Sequence, residues 1–263
     1  MDLRRLDDIA TAATPSPLEA EVAGWWCKAA PELPFRRCNV AVPPFDAADD
    51  REAFLAGLDQ VRRWYHERGL RLIVQVSSAL PGCDQVDSWL EDVGLSVEAP
   101  VHLMVADPQV RDPLVANARA RVTVTAGIDG AWADAYGLVF GGGPVEVART
   151  QAYGRMLAAF GDRALGAAHR IDGETVGVGF GVLDDGWIGI FGMGTATAHR
   201  RQGIATDVLL ALLAVAGDRG VARSYLQVET DNAGALRLYE DNGFEISHGY
   251  HYRSEGSDPD QGC

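Results

Sequence analysis

Cysteine, long apolar runs and an N-terminal leader pattern are all scarce or missing in this sequence. Its four cysteines, Cys27, Cys38, Cys83 and Cys263, form neither a C-x-x-C pair nor a metal-ligand spacing, so we expect ordinary thiols and no metal. The longest apolar stretch, residues 208–216, is far too short to span a bilayer. The first residues are charged and polar where a signal peptide would be apolar. These absences predict a cytoplasmic protein with no membrane partner.

Positive charge is also in short supply. The formal net charge is -14, from 23 basic and 37 acidic residues. No basic cluster is large enough to form a nucleic-acid surface, so we expect no DNA or RNA partner. An acidic field would concentrate a cationic acceptor such as an amine. The same charge could equally serve only to keep the protein in solution.

The chain has 263 residues, which is enough for one large domain or two ordinary ones. The stretch 107–120 is polar, contains Pro108 and Pro113 and separates two apolar-rich halves, so it is predicted to be a linker. This places one domain over 1–106 and a second over 121–255. Residues 256–263 are predicted to be a polar C-terminal tail.

Apolar periodicity and turn residues predict the elements of the second half. In chain order these are a strand at 121–126, helices at 132–139 and 145–160, strands at 164–171, 175–183 and 187–195, and a helix at 203–218. A glycine-rich break at 140–144 separates the first two helices, with a proline placed to start the second of them.

The run Arg200-Arg201-Gln202-Gly203-Ile204-Ala205 lies between a glycine-rich strand and an apolar helix. The start of a helix carries backbone N–H groups without intrahelical partners and the positive end of the helix dipole, so it can hold a pyrophosphate. We predict one buried stripe on this helix from Ile204, Val208, Leu212 and Val215. The sequence contains neither a G-x-x-x-x-G-K-[ST] loop nor a G-x-G-x-x-G turn opening a first βα unit. The run therefore predicts a phosphate cradle of another kind.

The cradle resembles the Arg/Gln-x-x-Gly-x-Gly/Ala signature of the GNAT family of acyl-CoA-dependent N-acetyltransferases, with Arg200, Gly203 and Ala205 at its defining positions. About thirty residues later, 226–244 resembles the second half of the same core: a strand, an asparagine turn, a short helix with a tyrosine, and Gly-Phe entering the last strands. The resemblance implies a GNAT fold, an α/β fold with a mixed central sheet flanked by helices. It also implies acetyl-CoA as co-substrate.

An internal repeat at an offset of about 150 residues suggests tandem GNAT-like halves, with the C-terminal one intact. The matched segments are 68–70 with 219–221, 75–76 with 227–228, and 90–95 with 239–244. Chance similarity between two helix-plus-strand units is the alternative. The first copy is predicted to be degenerate, because Leu90 stands where Tyr239 stands and the aspartate-rich segment 46–50 precedes its helix. Carboxylates there would repel a pyrophosphate.

The resemblance also assigns coenzyme-binding residues. Pantetheine would pair with the end of the strand, which implicates the main chain of Met193, Gly194 and Thr195. The pyrophosphate would be held by Arg200, Arg201, Gln202, Gly203, Ile204, Ala205 and Thr206, and Asn232 would contact the coenzyme unless it is only a helix N-cap. Gly189, Gly192 and Gly194 predict a close approach of a ligand or backbone to the strand, or else a bulge or tight packing.

Two catalytic residues are predicted. Tyr239 matches the family tyrosine that protonates the departing thiolate, a feasible transfer given ordinary pKa values of about 10 for tyrosine and about 8.5 for a thiol. Many relatives carry a glutamate on the strand before the cradle, but residues 188–195 contain no carboxylate or histidine. Glu229 is the substitute general base, with Asp231 and a water-mediated route left open.

Together these features predict an N-acetyltransferase that moves an acetyl group from acetyl-CoA to a primary amine of a small molecule, through direct attack in a ternary complex. The alternatives are an amine of a protein or peptide, an amine-bearing antibiotic, or a non-catalytic acyl-CoA sensor. A monomer and a homodimer are both open.

Overall fold

The computed structural model is an α/β protein whose description covers residues 2–33, 35–107, 112–140 and 144–256. Side chains are described throughout these stretches except at 112–114 and 144–149. None of the helices within them has both the length and the apolar composition needed to cross a membrane. Nor do three His, Cys, Asp or Glu side chains come together there in a way that could hold a metal ion.

The chain divides into two compact units that are not its two linear halves. The N-terminal unit contains the described residues within 1–103, 229–231 and 247–263. The C-terminal unit contains those within 104–228 and 232–246. The predicted division at 107–120 therefore does not describe these units, because two later segments pack with the first part of the chain.

The N-terminal unit begins with a helix and a small antiparallel hairpin. Its elements are α1 (Leu3–Ala12), β1 (Leu18–Val22), β2 (Trp25–Ala29), β3 (Val40–Val42), α2 (Arg51–His66), β4 (Ile73–Ser77), α3 (Cys83–Asp92) and most of β5 (Ser96–Ala106). Most of β11 (Glu245–Ser254) also belongs to it, and the strand order is β1-β2-β3-β4-β11-β5. Strands β3 and β4 are parallel, whereas β4 and β11 are antiparallel.

Lys28, on β2, is completely buried in the N-terminal unit. Its Nζ donates hydrogen bonds of 2.5 Å to the backbone carbonyls of Thr11 and Thr14, at the end of α1. A cation is favoured there because the last carbonyls of a helix lack intrahelical partners. Burial lowers the pKa of the Lys28 ammonium to about 8, since a charged group is penalised away from water.

The C-terminal unit has a mixed sheet with helices on both faces. Its elements are α4 (Asp112–Arg121), β6 (Val122–Ala126), α5 (Gly130–Phe140), α6 (Pro144–Leu157), β7 (Ala164–Ile171), β8 (Glu174–Asp184), β9 (Trp187–Thr195), α7 (Ile204–Asp218), β10 (Arg223–Glu229) and α8 (Ala233–Asp241). The strand order is β10-β9-β8-β7-β6, with β9 and β10 parallel and the other pairs antiparallel. The predicted fold class is confirmed.

Helix α4 corrects two predictions at once. It forms inside the stretch predicted to be a linker, because a proline in the first turn of a helix removes no needed donor. Its Ala118 is fully buried in the same core as α7.

Helix α7 is buried on the side that faces the sheet and also on the side that faces α4. Its buried residues extend well beyond the predicted stripe to Leu209, Leu210, Ala211, Leu213, Ala214 and Ala216, whereas Val215 is only partly buried.

The chain runs twice through the same succession of elements. The first series is β3-α2-β4-α3-β5 and the second is β9-α7-β10-α8-β11. In each series the first two strands form a parallel pair. This order agrees with the predicted internal repeat.

Candidate functional site

The site is built around the start of α7. Gly203 is the N-cap and adopts the left-handed conformation, with φ 80° and no side-chain cap. The first intrahelical bond runs from the Asp207 N–H to the Gly203 carbonyl, so the N–H groups before it have no carbonyl partner within the helix. A Cβ on Gly203 would meet no atom within 4 Å. The positive φ angle is therefore the reason for a glycine at this position, and the space in front of the N–H donors is open.

The loop that leads into α7 is solvent-exposed. Arg200, Arg201, Gln202 and Gly203 are all exposed, and Arg201 has a φ of 64°. The Arg200 Nε donates to the Thr195 carbonyl at 3.4 Å, which ties the loop to the end of β9. Two guanidinium groups and an uncapped helix start are thus accessible together, an arrangement suited to a phosphorylated ligand.

Strand β9 contains a bulge shortly before this loop. Between the pairs Val178–Gly194 and Phe180–Phe191, strand β8 contributes one residue and β9 contributes two, Gly192 and Met193. Gly192 has a φ of 58°, a conformation that favours glycine. The bulge re-aims the last residues of β9, including Gly194 and Thr195.

Strands β9 and β10 part just before this bulge. Their parallel ladder extends from Trp187 to Ile190 on β9 and from Arg223 to Leu226 on β10. The remaining part of β9, Phe191–Thr195, has no partner in β10 in the described chain. Backbone groups of Met193, Gly194 and Thr195 consequently lie at an opening in the sheet, where an extended ligand can pair with them as an added strand would.

The glycines of β9 are explained first by side-chain packing. A Cβ on Gly189 would lie 2.5 Å from the Tyr225 ring, and one on Gly194 would lie 2.5 Å from the Phe140 ring. A Cβ on Gly192 would lie 2.8 Å from both Phe180 and Tyr136. Of the interpretations left open, the bulge and tight packing are the ones observed.

Aromatic side chains from α5, α6, β8, β9 and β10 form a continuous cluster around the glycines of β9. Ring centroids are 4.5 Å apart for Tyr136–Phe140, 5.9 Å for Tyr153–Phe180 and 6.0 Å for Phe191–Tyr225. At the end of α5, Phe140 and Leu138 remain exposed, by 46% and 69%. The predicted flexible break at Gly141–Gly143 lies outside the described residues.

The two predicted residues of α8 have clear structural roles. Asn232 is the N-cap, and its side chain accepts a hydrogen bond of 3.1 Å from the Ala235 N–H. Tyr239 is 7% exposed and belongs to the core, with its ring 5.9 Å from that of Phe244. Both residues therefore carry a structural role in addition to any role toward a ligand.

Glu229, the last residue of β10, packs with the N-terminal unit. Its Oε1 lies 3.3 Å from a guanidinium nitrogen of Arg36, and 38% of its side chain is exposed. The adjacent Thr230 N–H donates to the Pro100 carbonyl. Arg36 competes with any incoming ammonium group for this carboxylate.

Gln227 is a residue that the sequence prediction missed. It follows Leu226, the last β10 residue paired with β9, and its Oε1 is buried without a hydrogen-bond partner in the described part of the chain. A buried acceptor left unpaired costs about 1–3 kcal/mol, so such a group points to a ligand or water. The signal that could have found it is the match of 75–76 with 227–228 in the internal repeat.

A second polar pair lies beneath the first turn of α7. His169 on β7 is 4% exposed, and its Nε2 is 3.3 Å from Asp207. Arg121 reaches the same carboxylate at 3.5 Å. Asp207 is thus in contact with both side chains, and the Arg121 guanidinium offsets its negative charge near the cradle.

Comparison with known proteins identifies the family. Residues 1–253 match the family described as "Probable histone acetyltransferase Rv0428c C-terminal". The chain belongs to this family. An uncharacterized N-acetyltransferase YobR of Bacillus subtilis is 36% identical over 69 residues, but that match covers only 26% of this chain and 28% of the relative.

Solved structures of the GNAT class have the same fold. A GCN5-related N-acetyltransferase from Kribbella flavida is 18% identical, covers 98% of this chain and 96% of its own, and gives a TM-score of 0.68. A tandem GNAT protein from the clavulanic acid biosynthesis pathway is 15% identical over 83% of this chain and 76% of its own, with a TM-score of 0.61. These structures show a shared fold, and the family match together with the N-acetyltransferase relative makes the protein a GNAT-type acyltransferase. The GNAT fold implies acetyl-CoA as co-substrate.

Proposed function

We propose that the protein transfers an acetyl group from acetyl-CoA to the primary amine of a small molecule, by direct attack in a ternary complex. The observation that carries the proposal is the parting of β9 and β10 after Ile190 and Leu226, followed by the uncapped start of α7. The free backbone groups at the end of β9 are followed in the chain by the anion cradle at the start of α7, so both are available to one extended ligand. Acetyl-CoA supplies an activated thioester as the acyl donor.

Each part of this co-substrate would be held by residues of the C-terminal unit. The loop and first turn comprising Arg200, Arg201, Gln202, Gly203, Ile204, Ala205 and Thr206 would hold the pyrophosphate through backbone N–H groups and guanidinium groups. Met193, Gly194 and Thr195 would pair with pantetheine through main-chain groups. Asn232 would contribute through the part of its amide that does not cap α8.

Two side chains would move protons. Tyr239 would protonate the departing thiolate as general acid, and Glu229 would accept the proton of the attacking amine. Release from Arg36 would make the Glu229 carboxylate available. Asp231 and a water-mediated route remain alternatives for the base, and Gln227 would accept a hydrogen bond from the bound molecules.

The acceptor is proposed to be a cationic small amine, because the net charge of -14 would concentrate one near the protein. A second candidate acceptor is a protein lysine, favoured by the histone acetyltransferase description of the family. An amine-bearing antibiotic is a special case of the first. The chain would act as a monomer or a homodimer.

The test is an acetyl-transfer assay that measures CoA release with two acceptor panels. One contains polyamines, amino sugars and an aminoglycoside, and the other contains lysine-bearing histone tail peptides. Turnover confined to the small amines would support the first candidate, and turnover confined to the peptides would support the second. Calorimetric titration with acetyl-CoA accompanies the assay.

Tyr239→Phe tests the mechanism. We expect kcat to fall about 100-fold or more with little change in acetyl-CoA affinity, because the phenyl ring keeps its core contacts. Tyr250→Phe, which removes a buried hydroxyl in the N-terminal unit, is the matched control and should leave kcat unchanged. Tight acetyl-CoA binding without turnover on either panel would instead indicate a non-catalytic sensor.

A further inference from the structure

The N-terminal unit contains a cavity of about 230 Å³ between the ends of β3 and β4. These strands pair only at Ala41 and Val74. The segment Val42–Phe45 after β3 lines one side, and Gln75 and Ser77 of β4 line another. A cavity of about 150 Å³ already accommodates benzene, so this one suits a ligand of about ten heavy atoms.

Gln75 is the group that points to a ligand. It is only 7% exposed, it lines the cavity, and its side chain makes no hydrogen bond among the described residues. Its amide oxygen and nitrogen are therefore both available to a polar group bound in the cavity. Gln75 is also the first residue after the β3–β4 ladder ends, as Gln227 is after the β9–β10 ladder.

Carboxylates of α1 supply negative charge at the cavity wall. Asp7, whose side chain is 15% exposed, accepts hydrogen bonds from the Ser77 hydroxyl at 2.5 Å and the His248 Nε2 at 2.7 Å. These bonds fix the carboxylate, while its two oxygens can each accept a further donor. Asp8 adds a second carboxylate to the lining.

Two aromatic rings complete the lining. Trp26 and Phe45 both contribute to the wall, and the Arg4 guanidinium lies 4.1 Å from the Phe45 ring centroid. The position of Arg4 shows that this ring already attracts a cation. Arg4 also lines the cavity, so the lining sets the carboxylates of Asp7 and Asp8 against one guanidinium, and the remaining negative charge favours a positively charged organic ligand.

The N-terminal unit has no open helix start for a coenzyme pyrophosphate at the position that corresponds to α7. Helix α2, the counterpart of α7, is capped by Asp50, whose carboxylate accepts from the N–H groups of Glu52 and Ala53 at 2.8 and 3.1 Å. The donors that α7 leaves open are therefore occupied in α2, and by a negative group. Acyl-CoA would be repelled where the C-terminal unit would bind it.

We propose that this cavity binds a small organic cation, namely an ammonium group on a compact apolar skeleton. The ammonium would face Asp7, Asp8 and the Gln75 carbonyl oxygen, and the apolar part would lie against Trp26 and Phe45. This site does not depend on the acetyl-transfer function proposed for the C-terminal unit.

The test titrates the full chain with 2-phenylethylamine, 2-phenylethanol and 3-phenylpropionate, which share a skeleton and differ in charge. Calorimetry gives the affinity, and amide and indole NMR signals locate the site. We expect the amine to bind once per chain and to shift the indole signal of Trp26. Gln75→Met and Asp8→Asn should each weaken binding at least tenfold, whereas Asp49→Asn, an exposed acid outside the cavity, should not.

Three results would overturn the proposal. They are the absence of amine binding at millimolar concentration, equal binding of the alcohol or the carboxylate, and unchanged binding in every variant of the pair Gln75→Met and Asp8→Asn that folds. Asp8 is exposed, so its variant keeps the test decisive even if Gln75→Met does not fold. The third result would place the amine elsewhere in the chain.

Discussion

Gln75 and Gln227 hold corresponding positions, each directly after the last paired residue of a parallel two-strand ladder. Val74 is the last paired residue of β4 opposite β3, and Leu226 is that of β10 opposite β9. The Gln75 side chain lines a cavity without a protein partner in the described chain, and the Gln227 Oε1 is buried without one. The same residue type thus occupies the point where each strand pair opens.

Replacing Gln227 with methionine should stabilise the protein and impair it. The unfolding free energy should rise by about 1 kcal/mol, because methionine has no amide oxygen that must give up its bound water on folding without gaining a hydrogen bond. The kcat/KM for acetyl transfer should fall about tenfold or more. Chemical denaturation and steady-state kinetics measure the two effects, with exposed Gln60→Met as control. Lower stability with unchanged kinetics would show that Gln227 serves the fold alone.

Any replacement of Gly203 should lower stability, and a negatively charged replacement should also weaken acetyl-CoA binding. Gly203→Ala should lower the unfolding free energy by about 1–2 kcal/mol because φ is 80°. Gly203→Glu should in addition raise the KM for acetyl-CoA more than tenfold by placing a carboxylate at the cradle. Gly220, with φ 77° and open space around it, is the matched control. Gly220→Glu should reproduce the stability loss without the KM effect, and an equal KM effect would argue against the cradle.

Lys28 should make stability depend on pH between about 8 and 10.5. Its pKa is lowered by burial from 10.5 to about 8, so the unfolded chain binds more protons in this window and the unfolding free energy rises with pH. Below pH 8 both states are charged and the full burial penalty applies. From pH 8 to pH 9.5, wild type should gain up to about 2 kcal/mol relative to Lys28→Met. Denaturation at both pH values measures this, and a constant difference would refute it.

Thiol reactivity should separate the cysteines. Burial raises the pKa of both Cys27 and Cys38 to about 12, whereas Cys83 is partly exposed. In a Cys263→Ser background, a disulfide reagent should therefore modify one thiol in the folded protein and three after denaturation. Rapid modification of two or more thiols in the folded protein would contradict this burial.

The C-terminal elements were predictable because local signals mark them. Strand β9 was predicted at its observed bounds, since an Asp-Gly turn at 185–186 directly precedes it and Gly203 marks the start of the next helix. Helix α4 was missed because Pro113 and its polar residues resemble a linker, whereas the burial of Ala118 reveals its packing against the core. The pairing of β11 with β4 depends on residues far apart in sequence, so no local pattern could reveal it.

The candidate site was predicted in part. The conformation of Gly203 follows from a local motif, as does the Asn232 cap. The packing of Gly189, Gly192 and Gly194 against aromatic rings, and the ion pair of Glu229 with Arg36, depend on three-dimensional neighbours. Sequence could therefore propose these residues but not distinguish packing from ligand contact.

Lys28 is the only lysine in the chain, and its ammonium is hydrogen-bonded to two backbone carbonyls at the end of α1. Thioesters acylate exposed ε-amines spontaneously once these lose their proton. Because Lys28 is buried, the long cationic side chains on the surface are arginines, and a thioester finds no lysine there to acylate. Burial of this one lysine thus removes ε-amine acylation from the side reactions open to the acyl donor that the fold implies.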